Sequence, residues 1–347
     1  MSKYFIFLLG ISLAVMLMAG GADAKCSVGG CSSGQDDWQE SASDFINSDV
    51  PTVGAVSAVD TGSGNFNAGQ PVGSSVSSTG SSTSSSSTRG SAVSNADFVE
   101  ADSRAELFLM GEYLKPLSSI SQDDTMLDVS NRRSKNDGNI IGAVNIPSRS
   151  FLNDDGTLKS IEDAAGILGS AGVSYRDSVI VYSDNFSSGE STFVFWLLRY
   201  LGQEDVRALD GGLEDWKRAS LPLETKLNVH DPAKYTPNPK PELLADYDYV
   251  KSGSAQLVDA RDFLEYGKGR IPGAAYIGTD SVLEDGRLKS GPALNDTFAK
   301  LKNNRPIVVY SSDFMSASLV WYALQLMGFD SRIYSWQDWQ ANERSRA

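Results

Sequence analysis

Two serines occupy the same place in two copies of one pattern. Ser183 follows the apolar run 180–182 and Ser311 follows the run 308–310, and both runs end in Val-Tyr. A serine hydroxyl is a nucleophile only when a neighbouring base activates it. The single histidine, His230, lies in a segment rich in Pro and Lys, and no Ser-x-x-Lys spacing accompanies either serine. The sequence therefore names no catalytic residue, and both serines are expected to cap the following helix or solvate its loop.

Polar residues near the two serines are candidates for ligand binding. They are Asp184, Asn185, Ser312, Asp313 and Arg270. Side-chain oxygens suit a hard cation, whereas backbone N–H groups at a helix N-terminus favour an anion. The carboxylates oppose an oxyanion, and their spacing matches no EF-hand. The sequence thus predicts no metal site and leaves these residues as loop or ligand candidates.

The elements that must position these residues are themselves repeated. The matching segments keep their order: 141–146 and 272–277, 155–160 and 285–290, 180–186 and 308–314. The offset drifts only from 131 (Asp128 to Asp259) to 123 (Trp216 to Trp339). A slow drift of this kind indicates small loop deletions between two copies of one domain.

Short apolar strands alternate with helical patterns in both copies. The predicted strands are 126–129, 143–146, 178–182 and 206–209, then 256–258, 275–277, 306–310 and 331–334. The predicted helices are 105–114, 161–168, 191–201 and 213–218, and one after Ser311 that stops at Gly328. This alternation predicts an α/β fold with parallel sheets. Ligands of such sheets bind beyond the carboxyl ends of the strands, where both serines lie.

The N-terminal region predicts export. Residues 1–24 contain Lys3, an apolar run and an Ala-x-Ala ending, which is the pattern of a secretory signal peptide. The only cysteines, Cys26 and Cys31, follow the expected cleavage site and predict a small disulfide loop. Lipid attachment and a redox-active role are the alternatives for these two residues. The expected location is extracellular, periplasmic or associated with the cell envelope.

Composition divides the chain further. The predicted units are a signal peptide (1–24), a disordered Ser/Gly-rich tether (25–98), a first domain (99–225), a linker (226–241) and a second domain (242–347). The tether is too polar to form a core and would allow surface attachment. The net charge of −14 opposes nucleic acid binding. The expected partner is an extracellular protein or a small ligand.

Three motifs carry a resemblance to a known family. Leu-Asp-Val (127–129) and Val-Asp-Ala (258–260) recur, Ile-Pro-Gly-Ala stands at 271–274, and Leu-Asp-Gly-Gly-Leu-Glu-Asp-Trp at 209–216. From about residue 105 to 345 the chain resembles the rhodanese family, in the tandem arrangement of the thiosulfate and mercaptopyruvate sulfurtransferases. The resemblance implies two tandem domains, each a parallel sheet with helices on both faces.

The resemblance also implies a chemistry that this sequence departs from. The family requires a cysteine directly after the Val-Val-Tyr strand, whose thiolate takes the sulfane sulfur as a persulfide. Backbone N–H groups and a helix N-terminus stabilise that thiolate. The matching positions here are Ser183 and Ser311, and a serine oxygen cannot hold a transferable persulfide sulfur. Arg270 likewise stands where the family often has histidine.

Two functions remain open at this point. The first is a non-catalytic, exported binding or envelope module carried on a flexible tether, with no cofactor. The alternative is a thiosulfate or mercaptopyruvate type of sulfurtransferase with a non-standard sulfur carrier, such as Cys26 or Cys31 on the tether.

Overall fold

The structure is a computed structural model that describes residues 104–131, 138–226 and 228–346. The predicted signal peptide, tether and disulfide lie outside these residues. Within the described ranges, no helix combines the length and apolarity needed to cross a bilayer.

The first domain is built on a five-stranded parallel sheet. Its strands are β1 (Leu114–Lys115), β2 (Asp124–Asp128), β4 (Val144–Asn145), β5 (Ser178–Tyr182) and β6 (Val206–Leu209), in the order β1-β6-β5-β2-β4. A small antiparallel pair joins β3 (Asn139–Ile140) to β7 (Leu223–Glu224). The helices are α1 (Ile161–Ser170), α2 (Glu190–Tyr200) and α3 (Leu213–Arg218).

The second domain repeats this plan with four parallel strands. They are β8 (Gln256–Asp259), β9 (Ala275–Tyr276), β12 (Ile307–Ser311) and β13 (Ser331–Ser335), in the order β13-β12-β8-β9. The short strands β10 (Leu283–Glu284) and β11 (Arg287–Leu288) form an antiparallel pair. The helices are α4 (Tyr247–Lys251), α5 (Phe263–Lys268), α6 (Gly291–Thr297), α7 (Phe314–Leu326) and α8 (Trp336–Arg346).

The two domains share one topology down to single hydrogen bonds. In the first, β5 lies between β6 and β2, and in the second β12 lies between β13 and β8. The Tyr182 hydroxyl accepts the Ile140 N–H at 3.2 Å, and the Tyr310 hydroxyl accepts the Ile271 N–H at 3.1 Å. The predicted tandem α/β fold is confirmed.

Both faces of each sheet are covered, because alternate residues of a strand point to opposite sides. In β5, Val179 and Val181 join one hydrophobic cluster, while Ile180 and Tyr182 join another. Strand β12 divides its residues between two clusters in the same way. These strands are therefore apolar at every position rather than at every second one.

The domains meet through α2 and α7. Phe195 and Tyr322 pack edge to face with ring centroids 4.9 Å apart, and the Thr192 and Ser318 hydroxyls lie 3.2 Å apart. The Tyr322 hydroxyl donates to the Tyr113 carbonyl at 2.9 Å. As a consequence, every residue of helix α2 from Ser191 to Leu198 is buried. The sequence pattern had indicated only one buried face of this helix.

The predicted helix over 105–114 is wrong. Helical geometry ends at residue 106, and Leu114 begins strand β1, which pairs with β6. Between them the Met110 N–H donates to the Leu326 carbonyl at 3.0 Å, which ties this segment to the second domain. Tertiary contacts therefore override a pattern that is locally helical.

The linker lies against the first domain. The Ala233 N–H donates to the Gly169 carbonyl and the Asn238 N–H to the Leu201 carbonyl, both at 2.8 Å. Tyr235 is buried there, and burial raises its pKa above the ordinary value. The segment fixes the path between the two domains.

Candidate functional site in the cleft between the domains

Both serines lie where the sequence predicts, at the carboxyl end of a central parallel strand. Ser183 directly follows β5 and is fully buried, and Ser311 is the last residue of β12 and is 3% exposed. Their surroundings differ: Ser311 lines the cavity described below, whereas the Ser183 hydroxyl is bonded within its own loop.

The loop after Ser183 is filled by its own chain. The Ser183 hydroxyl donates to the Asn185 carbonyl at 2.9 Å. The Ser183 and Asp184 carbonyls accept the N–H groups of Leu213 and Glu214, at 2.9 and 3.1 Å. The first turn of α3 is therefore docked on this loop, at the place where a ligand of the sheet would bind.

The same loop also serves as an interface between the domains. Phe186 is buried and stacks on Tyr322 of α7, with ring centroids 6.1 Å apart. Gly189 has a positive φ of 67°, and a Cβ atom there would lie 2.6 Å from the Met315 carbonyl oxygen. Glycine is required at this position for both conformation and space.

Ser311 faces a cleft of about 340 Å³ between the two domains. The first domain contributes the hairpin 155–158, and the second contributes the β12–α7 loop and the first turns of α8. The lining residues are Asp155, Gly156, Thr157, Leu158, Ser311, Ser312, Asp313, Phe314, Tyr334, Ser335, Gln337, Asp338 and Ala341. The Ser311 hydroxyl makes no hydrogen bond to any residue in the described part of the chain.

Three carboxylates give this cleft a negative lining. Hydrogen bonds from the Thr157 hydroxyl (2.6 Å) and N–H (2.9 Å) hold the pKa of Asp155 below its usual value. Asp338 accepts the Tyr334 hydroxyl at 2.7 Å, and burial followed by this hydrogen bond raises the pKa of Tyr334. Among the described lining residues there is no Lys, Arg or His.

The third carboxylate, Asp313, caps helix α7. It accepts the Ser316 N–H at 2.8 Å and the Ser316 hydroxyl at 2.9 Å. The residue at the start of α2 in the same role is Gly189, without a side-chain cap. Of the two roles expected for Ser183 and Ser311, capping the helix is therefore taken by Gly189 and Asp313, and the Ser183 hydroxyl bonds within its loop. Asp313 holds the helix N-terminus that an anion would otherwise occupy.

A buried ion pair lies beside the cleft. The Arg261 guanidinium donates to both oxygens of Asp259, at 2.9 and 2.6 Å, and the Tyr310 hydroxyl donates to the same carboxylate at 2.8 Å. The guanidinium carbon lies 3.9 Å from the Trp336 ring centroid. Because Trp336 begins α8, this cluster supports the helix that carries Asp338.

The structure separates the predicted candidates into groups. Ser312 and Asp313 line the cleft, whereas Asp184 and Asn185 belong to the closed loop of the first domain. Arg270 lies outside the cleft, exposed, with its guanidinium 4.7 Å from the Tyr266 ring centroid. Nowhere in the described ranges do three His, Cys, Asp or Glu side chains cluster as metal ligands would.

Sequence reasoning missed Asp155, Tyr334 and Asp338 as parts of the site. A signal for Asp155 existed, because the segment 155–160 is one of the repeated ones. Placing it required knowing that this hairpin reaches across to the other domain. His230 lies against Gly172 and is not among the cleft residues.

The tandem fold, with this cleft between its two domains, is that of a known protein family. The chain belongs to the family of the rhodanese-like domain, whose model matches residues 111–219 and 244–342.

Relatives of this chain are named sulfurtransferases. It is 32% identical over 190 residues to a probable 3-mercaptopyruvate sulfurtransferase of Pseudomonas aeruginosa, covering 49% of this chain and 67% of the relative. It is 29% identical over 215 residues to human 3-mercaptopyruvate sulfurtransferase, covering 55% and 71%. The crystal structure of SseA from Escherichia coli superposes with a TM-score of 0.56 at 23% identity, over 62% of this chain and 92% of SseA.

Proposed function

We propose that this protein is a tandem rhodanese-like binding module that does not transfer sulfur at its strand ends. The observation that carries the proposal is that Ser183 and Ser311 stand at the carboxyl ends of the central strands, while Cys26 and Cys31 are the only cysteines. Persulfide chemistry requires a thiolate, and serine cannot supply one. The cysteine of the sulfurtransferases is, on this proposal, replaced by serine in both repeats.

The electrostatics of the cleft support the same proposal. Thiosulfate and mercaptopyruvate are anions, and anions are attracted by cationic side chains and free helix N-termini. The cleft instead presents Asp155 and Asp338, and Asp313 occupies the N-terminus of α7. An anionic sulfur donor would meet like charges at each of these positions.

Serine hydrolase chemistry is not favoured either. A nucleophilic serine needs a base within hydrogen-bond reach. The Ser311 hydroxyl has no hydrogen-bond partner in the described ranges, and that of Ser183 is directed to a backbone carbonyl. Ligand binding in the cleft is the role left to Ser311.

The decisive experiment is a thiosulfate:cyanide sulfurtransferase assay on the mature protein, together with mass spectrometry for a persulfide. We expect no turnover above the uncatalysed rate and no added sulfur. Turnover abolished by Ser311→Ala, with the fold intact, would refute the proposal.

A second candidate function is sulfur transfer with a non-standard carrier. The names of the relatives favour this sulfurtransferase activity over the non-catalytic proposal. On this hypothesis the thiol is Cys26 or Cys31. Turnover that survives Ser311→Ala but is lost in Cys26→Ser/Cys31→Ser would establish it.

We also propose that the protein is exported and carries a disulfide between Cys26 and Cys31. The support is the pattern of residues 1–24 and the oxidising destination that it implies. The intact mass of the secreted protein should show loss of residues 1–24 and of two thiol hydrogens. A full-length membrane-retained product or a lipid adduct would contradict this.

A further inference from the structure

We propose that the interdomain cleft binds an organic ammonium ion, with the charged nitrogen at Ser311 and the carboxylates and the carbon chain against Phe314 and Leu158. This proposal rests on the proposed function, in which the cleft binds a ligand and does not transfer sulfur. It adds the chemical class of that ligand.

The sign of the charge comes from the lining. Asp155, Asp313 and Asp338 come from three separate segments and line the same cavity. The described lining residues provide no cationic side chain to neutralise them. A protonated amine entering the cleft therefore gains attraction from several carboxylates at once.

A metal ion or an anion fits this cleft less well. Ca²⁺ takes six to eight oxygen ligands around one point, and although Asp155, Asp313 and Asp338 line one cavity, they do not form a group in the described ranges that could hold a metal ion. Both oxygens of Asp313 are engaged by Ser316, so the N-terminus of α7 is closed to an anion. A singly charged organic cation needs neither a dense ligand set nor a free helix end.

The hydroxyl of Ser311 supplies an independent indication of a ligand. Ser311 is 3% exposed and lines the cleft, yet its hydroxyl has no partner in the described ranges. The hydroxyl belongs to the lining of the cleft, where a ligand can reach its oxygen. An ammonium group is a donor only, so it would use the hydroxyl oxygen as an acceptor.

The apolar part of the cleft accounts for the carbon chain. The Phe314 ring packs against Phe193 and Trp196 of the first domain, with both centroid distances 5.8 Å. Leu158 lies on the hairpin across the cleft. A volume of about 340 Å³ is at the lower end of small-molecule sites, which suits a short alkyl chain.

The test is a titration of the ¹⁵N-labelled mature protein with n-butylammonium, n-butanol and n-butyrate at fixed ionic strength, followed by NMR. These probes share one carbon chain and differ in charge. We expect n-butylammonium to bind with a Kd of about 1 mM, as suits so small a ligand, and the other two at least about tenfold more weakly. Equal affinity for the three probes would overturn the proposal.

Matched variants locate the binding. Asp155→Asn and Asp338→Asn should each weaken n-butylammonium binding about fivefold, because each removes one charge and keeps an acceptor. Ser311→Ala should weaken it by a similar factor. Asp154→Asn removes the same charge one residue away, outside the cleft, and should leave the affinity unchanged. Equal losses in Asp154→Asn and Asp155→Asn would reduce the effect to net charge and refute the site.

The source of the amine is distinguished by a second probe, N-acetyl-lysine methylamide. Tighter binding than n-butylammonium indicates a lysine side chain of a partner, and weaker binding indicates a free amine. Failure of the proposed function and failure of the ammonium site can be told apart. Turnover in the sulfur-transfer assay contradicts the proposed function, whereas equal binding of the charged and uncharged probes contradicts only the ammonium site.

Discussion

Ser311→Cys should yield an unreactive thiol rather than a restored sulfurtransferase. The new thiol would replace a side chain that is 3% exposed, in a cleft with three carboxylates. Burial and neighbouring negative charge both disfavour a thiolate. We therefore expect its pKa to lie above the ordinary value of about 8.5 and sulfur transfer to remain at background.

A second variant, in which the Asp313 cap of helix α7 is removed, tests the reason for this prediction. In Ser311→Cys/Asp313→Gly the N-terminus of α7 is released from the Asp313 carboxylate. Replacing such a cap by glycine costs only about a few tenths of a kcal/mol, so the fold should survive. The thiol pKa should fall by about one unit or more relative to the single variant, because the helix dipole then stabilises the thiolate.

The measurement is the pH dependence of iodoacetamide alkylation in a Cys26→Ser/Cys31→Ser background. Sulfur transfer to cyanide is followed in parallel. A single Ser311→Cys variant with a thiol pKa below about 7 and clear turnover would show that the cap does not control this position. It would also remove the electrostatic support for a non-catalytic cleft.

The repeat made much of the fold predictable from the sequence. Strand β5 was predicted at its observed bounds, and β12 within one residue at each end. Parallel strands buried on both faces are apolar throughout, so short runs such as 178–182 stand out. The equivalence of Tyr182 and Tyr310 extends to their hydrogen bonds with Ile140 and Ile271.

The site was predictable only in part, because its composition depends on how the domains meet. Ser312 and Asp313 follow β12 directly and were found from their place in the pattern. Asp155 and Asp338 lie far from them in sequence and reach the cleft through the hairpin and through α8. The helix predicted over 105–114 is wrong for the same reason, because the Met110 N–H bonds to the other domain.

The largest effect on stability is expected from breaking the ion pair of Asp259 and Arg261. Their side chains are 0% and 3% exposed and share two hydrogen bonds. Asp259→Asn or Arg261→Met alone leaves a buried charge without its partner, which should lower the free energy of unfolding by about 3–5 kcal/mol. Chemical denaturation of the purified protein measures each loss.

The double variant shows whether the pair itself is responsible. When both charges are removed, no uncompensated ion remains, so Asp259→Asn/Arg261→Met should lose much less than the sum of the singles. Lys268→Met, which breaks an exposed pair with Glu265, should change nothing measurable. Single losses that add to within about 0.5 kcal/mol would mean that the two residues act independently.

The same pair connects stability to the cleft. Arg261 lies against Trp336, the first residue of α8, and two residues later Asp338 lines the cavity. Arg261→Met should therefore also weaken n-butylammonium binding, although Arg261 is not a lining residue, because the helix start loses its stacked support. Binding is measured under conditions where the variant remains folded. Unchanged binding would show that other contacts position α8. The next contact to test is that of Trp339 with Tyr247, whose ring centroids lie 5.4 Å apart.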